Sequence, residues 1–438
     1  MAQRHRVPPS GTLPTQNIAD QLFDTTYRYT LARYCILDWV RVRRWHENRE
    51  AVCFASQNDD IDLHLGAFFL WIVYAIGAQL TPNTEKPPEL YYDFATGYLQ
   101  TVLQQQGSIT VQAFLALVQY HFRASTGPSL WQLAGAGMRL CIELGYHKRQ
   151  SPLIHADPYE LELEKRLFWC SYCFDRIVSI MLRRPFGIQD IDITCNTPAN
   201  IDDYCTDREI LQSAQMLNGS DSTTITTLSA LLHHLQIYRI RSRILTTYAN
   251  PESSELNSEE FFKQIEELET WRQNSPSYAQ GSGIPHQSSV RMDSIYYQAL
   301  MLLFRPIIAQ TTVEERLLLS CASLSIEACE AMRRLSLDVQ TQNSPITVYN
   351  CFRCGVTLLQ CVTLKRNILP MRRIMHAIIA CSGALTVYTR TLALALPFLE
   401  LFDKLSDYFL SAEESTPPTD LHGLLQYVTR SDPSEIPQ

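Results

Sequence analysis

The sequence is poor in the features that make catalysts and nucleic-acid binders easy to recognise. Glycine is scarce, 16 in 438 residues, which leaves few positions for tight turns and favours helices. The glycine-rich phosphate loops G-x-x-x-x-G-K and G-x-G-x-x-G are missing, as are the G-x-S-x-G elbow and the H-E-x-x-H zinc motif. An excess of positive charge is missing too: net charge is −8 and the pI is near 5.8, so the surface as a whole is no nucleic-acid footprint. Long apolar runs are also lacking. LGAFFLWIVYAIGA (65–78) and AIIACSGALTVY (377–388) stop short of the roughly 20 residues a bilayer needs and suit buried core helices. The first residues, MAQRHRVPPSGTLPTQ, hold no apolar core of a signal peptide. No membrane segment is expected.

What is present is a succession of helical patterns. With 46% hydrophobic and 19% charged residues, the chain is that of a globular protein with a large core. Its length admits one big domain or two to three ordinary ones. Breaks rich in Ser, Pro, Asn and Asp fall at 81–89, 196–207, 217–224, 250–259 and 272–289. They are short beside the helical stretches, and no internal repeat is visible. The expected fold class is all-α, a large single helical domain of many packed helices over 17–410. A disordered N-terminus (1–16) precedes it, and a flexible acidic tail (411–438) with room for a short helix follows.

Two helices are the most informative. SLWQLAGAGMRLCIELG (129–145) opens with Ser129 and has Gln132 three residues on, a capping-box spelling. Leu130, Leu133, Gly137, Leu140, Cys141 and Leu144 recur at helical spacing, and Gly145 sits at the C-terminal cap. The small run Ala134, Gly135, Ala136 and Gly137 lets another backbone approach. In ELEKRLFWCSYCFDRIVSIMLRRP (162–185), Leu163, Leu167, Cys170, Phe174, Ile177 and Met181 form one stripe. Glu162 and Arg166 stand four apart in the favourable order, and Pro185 ends the helix. Phe168 and Trp169 supply buried area, while Asp175 and Arg176 are expected to pair across helices in an architectural role.

The order of particular residues adds a resemblance. Trp131, Gly135, Arg139, Leu144, Gly145 and His147 are followed by Glu162, Glu164, Lys165, Arg166, Phe168 and Trp169. Then come Tyr172, Asp175 and Arg176, then Arg184 and Pro185, then QDIDITCNTP (189–198). AIGAQL from Ala75 and SIYYQALMLLFRPII (294–308), ending in a basic residue and Pro, extend the series. Over about residues 17–400 the chain resembles the fungal-specific transcription factor domain, the middle homology region of fungal zinc-cluster transcription factors. It departs at Arg183, where the family has Gly, and at Lys165, where it has Arg. The resemblance implies a nuclear, regulatory and dimer-tuning domain and no catalyst. It implies control of a metabolic or secondary-metabolite gene cluster and a small-molecule inducer. The implied partners are other transcription factors or coactivators in a homo- or heterodimer, with DNA met only indirectly.

That family reads DNA with six cysteines around a basic loop near the N-terminus. Here the first cysteines, Cys35 and Cys53, have no close partner in sequence. CFRCGVTLLQC (351–361) spells half of such a cluster, but two tetrahedral metals need six thiolates and only Cys381 follows. Its spacer GVTLLQ carries no charge to meet a phosphate. Ser344-Pro345 is a good helix start, and Cys351, Cys354, Leu358 and Cys361 step along one helix face as small buried hydrophobes. CSYC (170–173) fails in the same way. Thirteen cysteines without disulfide-like regularity suit a reducing compartment. No metal site and no cofactor are expected.

The remaining candidates are weak. Asp59, Asp60 and Asp62 do not have the D-D-x-x-D spacing of a magnesium-binding helix and are better explained by the helix macrodipole. His233 and His234 are adjacent, so they point to different helix faces. RVRRW (41–45) reads as a solvated helix face, with a weak nuclear-import signal as the alternative. Leu421, Leu424, Leu425 and Val428, among acidic flanks, suit a coactivator-binding segment or a last docked helix. No catalytic residue is assigned. The function expected is transcriptional regulation with DNA binding supplied by a partner. Two alternatives stand: a zinc-cluster activator lacking its DNA-binding exon, and a helical ligand-binding or enzymatic protein outside transcription.

Overall fold

The computed structural model describes residues 11–56, 58–124, 127–149, 157–216, 224–247, 258–279, 281–310, 313–338, 344–411 and 425. Among them the protein is all-α, with sixteen α-helices, one 3-10 turn and no strand. The chain forms two compact units.

The first unit, residues 1–180, 184–235 and 276–286, begins with α1 (Gln16–Leu31), α2 (Trp39–Glu47), α3 (Arg49–Cys53) and α4 (Ile61–Leu80). It continues with α5 (Pro88–Leu103), α6 (Ser108–His121), α7 (Leu130–Glu143), α8 (Pro158–Leu182), a 3-10 turn at Asp190–Asp192 and α9 (Arg208–Met216). The first turns of α10 (Ser229–Thr247) belong to it as well. Helix α4 is its centre. The apolar run at 65–78 lies within a longer helix that by length and composition could cross a membrane, yet 83% of its most apolar window is buried. A helix apolar all round must be covered all round, and α1, α2, α3, α5 and α6 pack against it. Helix α1 comes closest at Gly77, where an added Cβ would lie 2.3 Å from the Leu22 carbonyl oxygen. One turn away, Thr26 Oγ1 donates to the Val73 carbonyl at 2.7 Å.

Both informative helices form, with differences at their ends. Helix α7 starts after Ser129, but the Ser129 side chain makes no capping hydrogen bond, so the capping-box spelling is not realised. Its C-terminus follows the spelling: Gly145 has φ +77, its N–H donates to Ile142 O, and Tyr146 N–H donates to Cys141 O, a Schellman motif. Gly137 faces the Phe114 side chain of α6 at 3.3 Å from an added Cβ. Helix α8 buries more than one stripe. Trp169, Tyr172, Cys173 and Arg176 are as inaccessible as Leu163 and Leu167, while Ile177 and Met181 are half-buried. It stops at Leu182, before Pro185 acts, because Arg183 turns left-handed at φ 51 and Arg184 N–H closes back on Ser179 O at 2.9 Å.

The second unit, residues 181–183, 236–275 and 287–438, holds the rest of α10 and α11 (Ser258–Gln273), α12 (Ser289–Ile308) and α13 (Glu315–Ser336). It also holds α14 (Pro345–Leu364), α15 (Met371–Thr389) and α16 (Ala395–Ser411). Helix α13 packs on α12, α14 and α15, and α16 closes on α14 and α15. Pro306 does not end α12, which runs on to Ile308; so near the terminus the missing N–H costs one bond at most. In α14 the Ser344 hydroxyl accepts from Thr347 N–H, with Pro345 at the first position. Leu425 is helical and fully buried; residues 1–10, 217–223, 248–257 and the rest of the tail from 412 lie outside the described residues.

Candidate functional site

The residues that carry the family pattern converge on one structure in the first unit. Successive side chains of α8 each grasp the segment 185–203. Near the helix end, Ser179 Oγ donates to Pro185 O at 3.2 Å. One turn back, both oxygens of Asp175 accept the Gly187 N–H at 3.1 Å. The Arg176 guanidinium donates to Ile188 O at 2.9 Å and to Asp190 Oδ1 at 3.0 Å. Tyr172 O–H donates to the same Asp190 oxygen at 2.7 Å, and Trp169 Nε1–H donates to Asn196 O at 2.9 Å. Glu162 Oε2 accepts Ala199 N–H at 2.9 Å, and Arg166 Nη1 donates to Asp203 O at 3.1 Å. These positions recur every three or four residues, so one face of a helix clamps a coil along its length.

Asp175 and Arg176 do not pair across helices, because their neighbours in the fold are each other and the coil that follows α8. They bind each other at 2.8 Å and together seize the following coil. Arg176 is fully buried between the rings of Tyr172 and Phe186, at 4.0 and 4.2 Å from their centroids, where cation–π attraction offsets part of its desolvation. Burial pushes the Asp175 carboxyl above its ordinary range, against the pull of Arg176 and the Gly187 N–H. An added Cβ at Gly187 would sit 2.9 Å from Asp175 Oδ1, so the clamp depends on glycine there. Lys165 pairs with Glu162 at 2.6 Å. The turn that follows α7 joins in, because the His147 carbonyl accepts N–H bonds from Thr194 and Cys195.

Beside this clamp lies a small concavity with room for little more than a water molecule, walled by Tyr146, Lys148, Arg149, Leu161, Glu164, Lys165, Cys195 and Asn196. Three of its walls are cationic and one is a carboxylate. The pattern residues thus act on backbone and on one another, and no nucleophile, base and orienting group come together among them.

The other candidates take structural places. Asp62 pairs with Arg41 at 2.6 Å and accepts the Trp45 indole N–H at 2.9 Å, while Asp59 accepts from Ser56. From the first turn of α4, Asp62 thus also ties α2 to α4, and Arg41 within RVRRW is engaged and not merely solvated. His233 and His234 are both buried; His234 Nδ1 lies 2.8 Å from Ala230 O, and burial with its neighbour's charge takes His233 down to about 3. Cys351, Cys354, Cys361 and Cys381 are fully buried. Cys351 Sγ and Cys381 Sγ lie 4.0 Å apart, and burial raises the thiols of Cys354 and Cys361. Among the described residues no three His, Cys, Asp or Glu side chains are placed to hold a metal ion.

Comparison with known proteins agrees with this geometry. The model of the fungal specific transcription factor domain matches residues 28–273, which includes the whole clamp. The chain is 28% identical over 238 residues to pyrimidine pathway regulatory protein 1 of Saccharomyces cerevisiae, covering 52% of this chain and 25% of that protein. It is 23% identical over 266 residues to the positive regulator of purine utilization of Emericella nidulans, at 47% and 25% coverage. To the negative regulator of pleiotropic drug resistance STB5 of Candida glabrata it is 29% identical over 159 residues, at 34% and 16%. The chain thus spans a quarter or less of the length of these relatives.

Proposed function

Because the chain belongs to the fungal specific transcription factor domain family, we propose that it regulates transcription in the nucleus, with residues 17–410 as its regulatory domain and DNA contacted through a partner. The observation that carries this reading is the α8 clamp. Pattern residues spent on holding a coil and a helix together make a scaffold, and a scaffold's output is binding, not bond-making. Two relatives are named for a pyrimidine pathway and for purine utilization, which supports a metabolic or secondary-metabolite gene cluster as the target. A small-molecule inducer fits the same reading.

Transcript profiling of a deletion strain tests it. A coherent set of metabolic genes, neighbours of the locus included, should change expression. Unchanged transcripts with a single metabolite step lost would sink the regulator reading in favour of an enzyme or ligand-binding protein. A second reading, that the chain is the regulatory portion of a zinc-cluster activator, is favoured by the small share of its relatives' length that it spans. Genomic DNA upstream of Met1 decides between the two: an in-frame exon with six cysteines supports the second.

A further inference from the structure

The longest acid-free stretch of this acidic chain lies in the second unit. Residues 339–399 contain no Asp or Glu but include Arg353, Lys365, Arg366, Arg372, Arg373 and Arg390, although the protein holds 45 acidic residues in all. Lys365 is engaged with Glu315 at 2.7 Å, and Arg366 donates to Phe409 O at 3.1 Å. Arg372, Arg373 and Arg390 stand exposed on α15 and at its end, with His376. None of the three arginines forms a side-chain ion pair among the described residues.

An uncovered apolar seam shares the exposed side of α15 with Arg372 and Arg390, while on its other flank Ser382 donates to Asp403 of α16 at 2.7 Å. Met371, Met375 and Ile379, four residues apart on α15, are 37%, 43% and 59% exposed. The seam continues to Gly383, where an added Cβ would meet nothing within 4 Å. Ile374, Ala377, Cys381, Ala384 and Tyr388 on the other face are already buried, so α15 has met its packing needs without this seam. A second apolar line flanked by charge is the groundwork for a helix-on-helix contact, and the open glycine allows close approach.

We propose that this face of α15 docks an acidic amphipathic helix of a partner protein. Its apolar anchors would rest on Met371, Met375, Ile379 and Gly383, and its carboxylates would face Arg372 and Arg390 at the two ends of the seam. The same charges oppose a second copy of this chain. Antiparallel pairing centred between Ile379 and Gly383 sets Arg372 against Arg390 of the copy, and parallel pairing sets each arginine against itself. A bilayer is a poor occupant because the seam has no aromatic anchor. A nucleic acid would answer the arginines but leave Met375 and Ile379 against a polar backbone.

The experiment is fluorescence anisotropy with the full chain. The probe is a labelled designed helix of about five turns, with leucines along one face and glutamates on both flanks. Comparison probes are the same helix with lysine flanks, a DNA duplex, and vesicles containing phosphatidylserine. The glutamate helix should bind, and weaken as NaCl rises from about 50 to about 300 mM. Met375→Glu and Ile379→Glu should each weaken it about tenfold or more. Arg372→Glu with Arg390→Glu should weaken it and flatten its salt dependence. Met216→Glu, at an exposed position of α9, should bind as the parent does, and far-UV circular dichroism verifies each variant's fold. The proposal is overturned if the lysine-flanked helix binds equally well. It is equally overturned if the α15 variants bind normally, or if only the duplex or vesicles bind. The regulator reading rests on it in no way, being judged by transcript profiling, so the two fail separately.

Discussion

Arg183 shows what a single family departure means physically. The family's glycine at this position looks like a matter of taste until φ is known. At 51° the backbone is left-handed, a region that costs most L-residues about 1–2 kcal/mol and glycine almost nothing. The residue is the hinge of the turn that releases α8 and delivers Pro185, Gly187 and Asp190 to its clamp. Replacement should therefore be ordered by backbone tolerance and not by side-chain size. Arg183→Gly is expected to unfold in urea at or above the parent's midpoint. Arg183→Val, β-branched and ill-suited to positive φ, should be less stable than the glycine variant by about 1–2 kcal/mol. Equal midpoints for the two variants would show that the strain at this turn is absorbed elsewhere.

At the scale of elements, periodicity and end signals were legible and tertiary partners were not. The reading of α7 from Leu130 to a glycine cap held because Gly145 acts locally, through bonds to Ile142 and Cys141. The capping box at Ser129 failed because its spelling is only permissive; nothing local compels that hydroxyl to turn inward. The sequence of α8 reads as single-striped because a largely buried helix with polar residues looks amphipathic until the polar residues find partners. Here those partners are carbonyls and amides of a coil, and backbone groups leave no trace in a sequence. The same holds for Gly77. Its place in AIGAQL marked a pattern, but only packing reveals the Leu22 carbonyl 2.3 Å from where a Cβ would stand. Backbone on both sides cannot give way cheaply, so Gly77→Ala should lower stability by about 1–3 kcal/mol. Gly97 in α5 is the control. An added Cβ there meets nothing within 4 Å, and Gly97→Ala should raise stability by up to about 1 kcal/mol through helix propensity. Urea midpoints shifting in the same direction for both variants would refute the close-approach account of α1 on α4.

For the whole molecule, the cysteines are the most direct probe of how it is built. All thirteen lie among the described residues; eleven are buried and only Cys195 and Cys205 are half-buried. Both units spend thiols as core side chains: Cys35, Cys53, Cys141, Cys170 and Cys173 in the first, and Cys321, Cys329, Cys351, Cys354, Cys361 and Cys381 in the second. All eleven are held away from the thiolate, Cys141 and Cys361 by burial that pushes them up to about 12 and Cys329 by its hydrogen bond with Cys381 before burial. The thiolate is the form that reacts or binds metal. Scattered placement explains why the half-cluster spelling at Cys351 misleads. A C-x2-C step on a helix sets its two thiols on one face, and here both are fully buried, with Cys351 beside Cys381. A chromogenic disulfide reagent should thus titrate two thiols rapidly in the native protein and the other eleven only after denaturant is added. A strong chelator should leave the rapid count at two, and elemental analysis should find zinc well below one equivalent. A rapid count that rises on chelation, with stoichiometric zinc released, would mean that thiolates hold metal and that this account of the core is mistaken.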